Sequence, residues 1–376
     1  MSEFQYIGFR AAEKPVSDKN LEYMRQQSSR AEITPWTFDN EYHYGDFSGD
    51  ELHMLRRGYD IHLHYANFGI RKLLIRLPHN LPNTPGASPY FTKDGLQFLK
   101  DKQGQGGILS ISPYHEPGDQ DELWNVNELL DRLVPLRADI LEGDLRPLYL
   151  AQLAIRSDAE HDPEESTEGP VPAGLGNLTA AQRALAELFG LSDALIAAAA
   201  LGNPEQPVQE DTGKLYAGWL QSLPQATKDA WLLEWLADAH SSARSDVLAE
   251  FRKSRPMAAW PTVQRDRTIA ELETAAEDIH KNAVRKATEK AAQKRAKRLA
   301  DMAADPAPTL RETERLVKLR SRESYVAIAT LLKDLREALA GTKQAGLAEQ
   351  QAQKLKKENP TLNLLTSELR RAGFLA

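Results

Sequence analysis

The chain of 376 residues contains no cysteine. That absence excludes disulfides, thiolate-bound zinc, iron–sulfur clusters and a thiol nucleophile. It fits a reducing compartment, and the sequence predicts a cytoplasmic protein. Long apolar runs are missing too. The most apolar stretch, Leu191 to Leu201, is Ala-rich and well short of the ~20 residues that cross a bilayer, so no membrane association is expected. The opening Met1-Ser-Glu-Phe-Gln-Tyr6 lacks the basic and apolar regions of a secretory signal. No G-x-S-x-G elbow, P-loop, G-x-G-x-x-G fingerprint or H-E-x-x-H helix occurs, so no motif calls for a cofactor and none is expected. Aromatic residues thin out toward the C-terminus. After Trp260 there are Tyr325 and Phe374 alone, which leaves the last third without a base-stacking platform.

What is present is an uneven charge. The formal net charge is −7, from 47 Lys+Arg and 54 Asp+Glu, which argues against a protein that coats nucleic acid over its whole surface. Between Lys281 and Arg298, however, eight Lys/Arg stand against the single acid Glu289. This window carries +7 and the remainder −14.

The periodicity changes along the chain. Phe4–Phe9, Ala31–Phe38, Tyr42–Phe47, Tyr59–Tyr65 and Arg71–Leu77 read as strands, with Asp39-Asn40 as a turn and helices at Lys19–Ser28 and after Gly49-Asp50. A short helix near Leu96–Lys100 and a last strand at Ile108–Ile111 follow. The first six elements run in the split βαβ order of a ferredoxin-like fold. From Asp121 onward the signals are helical: Glu122–Leu141, Leu145–Ile155, Thr179–Phe189, Ser192–Leu201, then Lys214–Ser222, Gln225–His240 and Ala243–Lys253, with Trp219, Trp231 and Trp235 at core-like positions. Ser157–Gly174 reads as an acidic, mobile linker, and Pro256 and Pro261 as a boundary. Thr268–Met302 reads as one long helix, and Tyr325, Ile328, Leu332, Leu335 and Leu339 as an apolar stripe on a later one. The predicted class is α+β. A ferredoxin-like α/β domain (1–118) precedes an α-helical domain (119–260) and a long helix with a C-terminal helical bundle of hairpins (261–376).

Several segments carry a family resemblance: Arg30-Ala-Glu-Ile-Thr-Pro35, Tyr44-Gly-Asp-Phe-Ser-Gly-Asp50, Ala66-Asn-Phe-Gly69, Arg71-Lys-Leu-Leu-Ile-Arg-Leu77, Pro135–Arg146, Leu332-Lys-Asp-Leu-Arg336 and Leu369-Arg-Arg-Ala-Gly373. In these the chain resembles a family of uncharacterised bacterial proteins. Its helical C-terminal part looks like the tail of bacterial SWIM zinc-finger proteins. The resemblance implies a SWIM-type protein partner. It implies no zinc site, because the Cys/His ligands of a SWIM finger are missing here.

Four sets of residues could carry chemistry. His62 and His64 lie two apart on a strand and project from one face, where two imidazoles could share a metal with His43 or Asp60 as third ligand. A polar, aromatic-lined sheet face explains the same residues, because Tyr42, Tyr44, Tyr59 and Tyr65 are interleaved and His53 is nearby. Tyr44–Asp50 is a turn into a helix that Asp46 or Ser48 could cap, and not a phosphate loop, since Asp46 and Asp50 would repel a phosphate. Arg137, Asp139, Glu142, Asp144 and Arg146 surround Gly143; they read as an ion-pair network at a helix–helix corner, with acid–base chemistry as the alternative.

The basic window is the strongest candidate. Lys286, Lys290, Lys294 and Arg298 repeat every four residues along one side of a helix, and Lys281, Arg285, Arg295 and Lys297 widen the band. Such a helix could follow a phosphate backbone or an acidic protein. It could equally be a solvated connector, because Glu271, Glu273, Glu277 and Asp278 precede the cations in the order that suits the helix dipole. The sequence therefore points first to a non-enzymatic binding or adaptor protein. The alternatives are a metal protein built on the His face and a structural scaffold.

Overall fold

A computed structural model describes residues 3–79, 81–103, 106–115, 122–158, 161–206, 212–237, 243–255 and 259–375. The chain forms two compact units, residues 1–280 and 281–376. It is α+β, with a seven-stranded antiparallel sheet near the N-terminus and helices after it. Among the described residues no helix is long and apolar enough to cross a membrane.

The sheet is built from β1 (Gln5–Arg10), β2 (Glu32–Ile33), β3 (Thr37–Tyr42), β4 (Ile61–Ala66), β5 (Ile70–Leu77), β6 (Leu96–Lys100) and β7 (Gly107–Ile111), in the order β2-β3-β1-β4-β5-β7-β6. Helix α1 (Asp18–Gln27) links β1 to β2, and α2 (Glu51–Arg57) links β3 to β4. Register follows side-chain alternation: Ile7 faces His64, Phe9 faces His62, and Leu63 faces Leu73. Several elements differ from expectation. The strand expected over Ala31–Phe38 is divided between β2 and the start of β3, and the one expected over Tyr42–Phe47 does not continue past Tyr42. Leu96–Lys100 is a strand and not a helix, because β7 offers a full ladder where five isolated residues could not nucleate a helix. Asp39 and Asn40 lie inside β3 and not in a turn, because both ladder onto β1 and Arg10 binds Asp39.

Each sheet face has its own cover. Ile7, Phe9, Phe38 and Leu74 pack under Leu21 and Met24 of α1 and Met54 and Leu55 of α2. The opposite face, with Tyr6, Leu63, Tyr65, Leu73, Ile75 and Leu109, joins a larger core. After α3 (Thr84–Ala87), that core takes in α4 (Val126–Leu133), α5 (Leu136–Leu141), α6 (Arg146–Arg156), α7 (Ala180–Leu188) and α8 (Asp193–Ala200). Val126, Leu129, Leu130 and Leu133 form the apolar stripe of α4. The helix expected across 122–141 breaks at Pro135, whose ring cannot continue it. Thr179 and Gln182 form a reciprocal capping box on α7, and Ser192 caps α8. Sheet and helices thus share one core, so the expected boundary at 118 does not separate two.

The expected mobile linker is also corrected over its described part. Within it, β8 (Val171–Pro172) pairs with β9 (Thr262–Val263), and Thr167 bridges Thr268. Glu168 is buried, where it accepts from Tyr149 Oη at 2.7 Å and from Arg267 Nε at 2.6 Å. An acid this deep needs such partners. Helices α9 (Thr212–Ser222), α10 (Gln225–Ala237) and α11 (Ala243–Lys253) lie between these strands in sequence. The three tryptophans expected in a core do not all reach one: α10 buries no residue fully, and Trp235 is 61% exposed. His240 and Pro256 lie outside the described residues.

Helix α12 (Ile269–Ala304) runs across the boundary between the units. The second unit is completed by α13 (Ala307–Val317), α14 (Arg322–Ala338), α15 (Leu347–Glu358) and α16 (Asn363–Arg371). Its core is the expected stripe of α14, Tyr325, Ile328, Leu332, Leu335 and Leu339, packed with Leu355, Leu365 and Leu369. Ser321 caps α14 through the Ser324 amide.

Candidate anion-binding helix and histidine face

Residues 281–298 of α12 are exposed on every side. The structure sorts the eight cations of this segment by chemistry. Arg295 sets its guanidinium on Glu337, at 2.6 and 2.9 Å, and lies 3.6 Å from Asp334. Arg298 reaches Asp334 at 3.0 Å. Arg285 lies 3.9 Å from Glu289, and Lys281 is exposed at the start of the unit. Lys286, Lys290, Lys294 and Lys297 make no ion pair among the described residues.

The reason is helical geometry. At ~100° per residue, Lys286, Lys290, Lys294 and Lys297 fall within an arc of about 80°; Arg298 lies about 40° past Lys294 and Arg295 about 100° past it, toward the side that meets α14. Arg298 therefore does not belong to the free ladder that its four-residue spacing predicted. Asp334 and Glu337 are the partners that sequence reasoning missed. Their three-residue spacing on α14 was a visible signal, but nothing in the sequence said which helix they would face. The free lysines rise ~6 Å per four-residue step, so Lys286 to Lys294 covers ~12 Å. A nucleic-acid strand carries a phosphate about every 3.4 Å of axis, so the ladder can address several at once.

His62 and His64 do share a face of β4, the one beneath α2. His62 is fully buried and its ring stacks on Phe9, with centroids 4.1 Å apart. Its Nδ1 donates to the Gly8 carbonyl at 3.0 Å and its Nε2 lies 3.1 Å from Glu51 Oε2. Both ring nitrogens are thus occupied by oxygens, and neither is turned out toward a metal. His64 Nε2 donates to Gln5 Oε1 at 3.1 Å. Burial, then the nearby His62, pushes His64 down to about 4. His43 is exposed, with its ring 5.7 Å from Phe4. His53 sits on α2 beside Tyr23. Asp60, the other third ligand considered, accepts from Ala12 N at 2.7 Å and faces Arg137. The three expected ligands are not assembled, and among the described residues no group of three His, Asp or Glu could hold a metal ion. Glu51 instead organises this face, taking His62 on one oxygen and Lys72 on the other. Burial pushes its carboxyl up, but His62 and Lys72 outweigh burial and hold it at about 2.

Tyr44–Asp50 does turn into a capped helix, but the cap is neither Asp46 nor Ser48: Asp50 caps α2 by accepting from His53 N at 2.8 Å. The cluster around Gly143 divides. Asp144 and Arg146 pair within the core, with contacts of 2.6 to 3.0 Å. Gln182 donates to Asp144 at 2.7 Å and to Asp139 at 3.0 Å, and Thr179 also donates to Asp139. Burial and the neighbouring Asp144 push Asp139 up to about 6. Arg137 leaves this corner and points to Glu13, Asp60 and the Arg76 carbonyl.

No family profile, curated protein or solved structure matches this chain.

Proposed function

We propose that this protein is a non-enzymatic binding protein whose second unit contacts the phosphate backbone of nucleic acid through Lys286, Lys290, Lys294 and Lys297. The observation that carries the reading is the sorting within α12: Arg295 and Arg298 are paired with Asp334 and Glu337 of α14, while four lysines on one side of an exposed helix make no ion pair among the described residues. An acidic protein surface is the weaker partner. Protein interfaces draw most of their affinity from aromatic and large apolar anchors, and this segment offers alanines and the half-exposed Val284. Lysine ammonium groups on long stems suit contact with phosphates without base readout.

Within the same reading, residues 5–66 form a ferredoxin-like module enlarged by β5, β6 and β7. The order β2-β3-β1-β4, with α1 and α2 as crossovers on one face, supports this. The family resemblance adds a SWIM-type protein as a partner, and the lack of cysteine supports a cytoplasmic setting.

The test is fluorescence anisotropy with labelled duplex and single-stranded oligonucleotides across a salt series. Changing the four lysines to Glu should weaken binding at least a hundredfold and remove about three to four from the slope of log affinity against log salt. Equal binding and slope in the variant would overturn the proposal. So would a parent that ignores nucleic acid and binds poly-Glu peptide.

A further inference from the structure

At one end of the sheet, beside the loop that joins β1 to α1, the first unit holds a cleft of about 1150 Å³. The ends of α2 and β5, helix α5 and helix α11 complete its walls, and Trp231 of α10 lines one side. Seven Lys and Arg side chains line it against four Asp and Glu, although the chain as a whole is −7.

The floor is a braced ionic layer. Arg137 is buried, binding Glu13 at 2.9 Å and Asp60 at 3.3 Å and donating to the Arg76 carbonyl at 2.8 Å. Arg252 of α11 shares Glu13 at 3.2 Å, which ties α11 to the strand end. Arg56 and Arg76 converge on one carboxylate, Asp101, each at 2.9 Å. Such pairs cost desolvation and add little net stability, so a layer of them under an open cleft is a functional lead. With these groups engaged, Lys14 and Arg57 remain in the lining without an ion pair among the described residues. The Arg57 guanidinium rests 4.1 Å over the Tyr23 ring, which fixes its position.

We propose that this cleft binds a phosphate-bearing small molecule of nucleotide size, with its phosphate between Lys14 and Arg57. Three features support the class. The cationic excess is local, every arginine of the floor is already held in an ion pair, and the volume suits a ligand larger than a free anion. The proposal does not depend on the lysine ladder of the second unit.

Calorimetric titration of the full chain with ATP and with inorganic triphosphate, in metal-free buffer, tests it. Saturable binding of one equivalent of ATP is expected, weakened at least tenfold by Lys14→Glu with Arg57→Glu, and also weakened by the milder Lys14→Gln with Arg57→Gln. Thermal melts check that both variants fold. Equal affinity for triphosphate and ATP supports a site that reads phosphate alone, and tighter ATP supports use of the whole cleft. Changing the four α12 lysines to Glu should leave this binding within twofold. No binding at millimolar concentration of either probe would overturn the proposal. So would unchanged affinity in the folded variants, or an equal loss from the α12 variant.

Discussion

His62 Nε2 lies 3.1 Å from Oε2 of Glu51, and Lys72 takes the other oxygen of the same carboxylate. One side chain of α2 thereby fastens two strands of the sheet, since His62 belongs to β4 and Lys72 to β5. The arrangement also uses up the imidazole that a metal would need.

Acid should loosen this face in two steps. His64 ionises near 6.5 when unfolded and near 4 when folded. A lowered histidine pKa means that the unfolded chain takes up the proton first, so stability falls as pH drops from about 6.5 to about 4. Glu51 is held at about 2 against 4.5, so its contribution is present above 4.5 and lost as pH falls toward 2. Urea denaturation in a pH series should show both losses, and His64→Gln should flatten the upper one. A His64→Gln variant that keeps the full slope between pH 6.5 and 4 would contradict this assignment.

Arg137→Met should be severe. It leaves the half-buried Asp60 without its guanidinium and Glu13 with Arg252 but not Arg137, and removing one member of a buried ion pair typically costs ~3–5 kcal/mol. Burial already pushes Asp60 up, so Asp60→Asn in the Arg137→Met background should return part of the loss. Chemical denaturation of the single and double variants measures the coupling, and simple additivity would argue against it.

The α12–α14 contacts should matter much less. Arg295 and Arg298 are about half exposed, and ion pairs of that kind are worth ~0–1 kcal/mol. Asp334→Ala should therefore shift the midpoint slightly. Leu332→Ala, in the core of the second unit, should cost about 2–5 kcal/mol. A larger loss from Asp334→Ala than from Leu332→Ala would reverse this ranking.

Trp235 and Leu236 on α10 are 61% and 68% exposed. Replacing both with Lys should leave stability within ~0.5 kcal/mol and reduce self-association in light scattering at high concentration. A drop of several kcal/mol would mean that these side chains are part of a core.

The histidine pair shows how far periodicity reaches. Alternation along Tyr59–Tyr65 was enough to put His62 and His64 on one face, and that was correct. It could not reveal Glu51, because α2 meets β4 only after the chain has folded back over the sheet. The tryptophans show the opposite failure: Trp219, Trp231 and Trp235 have core-like spacing, yet hydrophobicity alone does not say how much partner surface will arrive.

The composition and local pattern of this sequence determined its α+β class, the apolar stripe of α14, the caps at Thr179 and Ser192, and a continuous helix through the +7 window. These follow from backbone and side-chain preferences within a few turns or strands. Only the tertiary structure decided which cations of that window stay free. Lysines and arginines alternate there with no local distinction, and the choice was made by Asp334 and Glu337 arriving from a helix some forty residues away. The cationic cleft has the same origin, because its walls are brought together from segments that are remote in sequence and joined only when the first unit closes around Arg137.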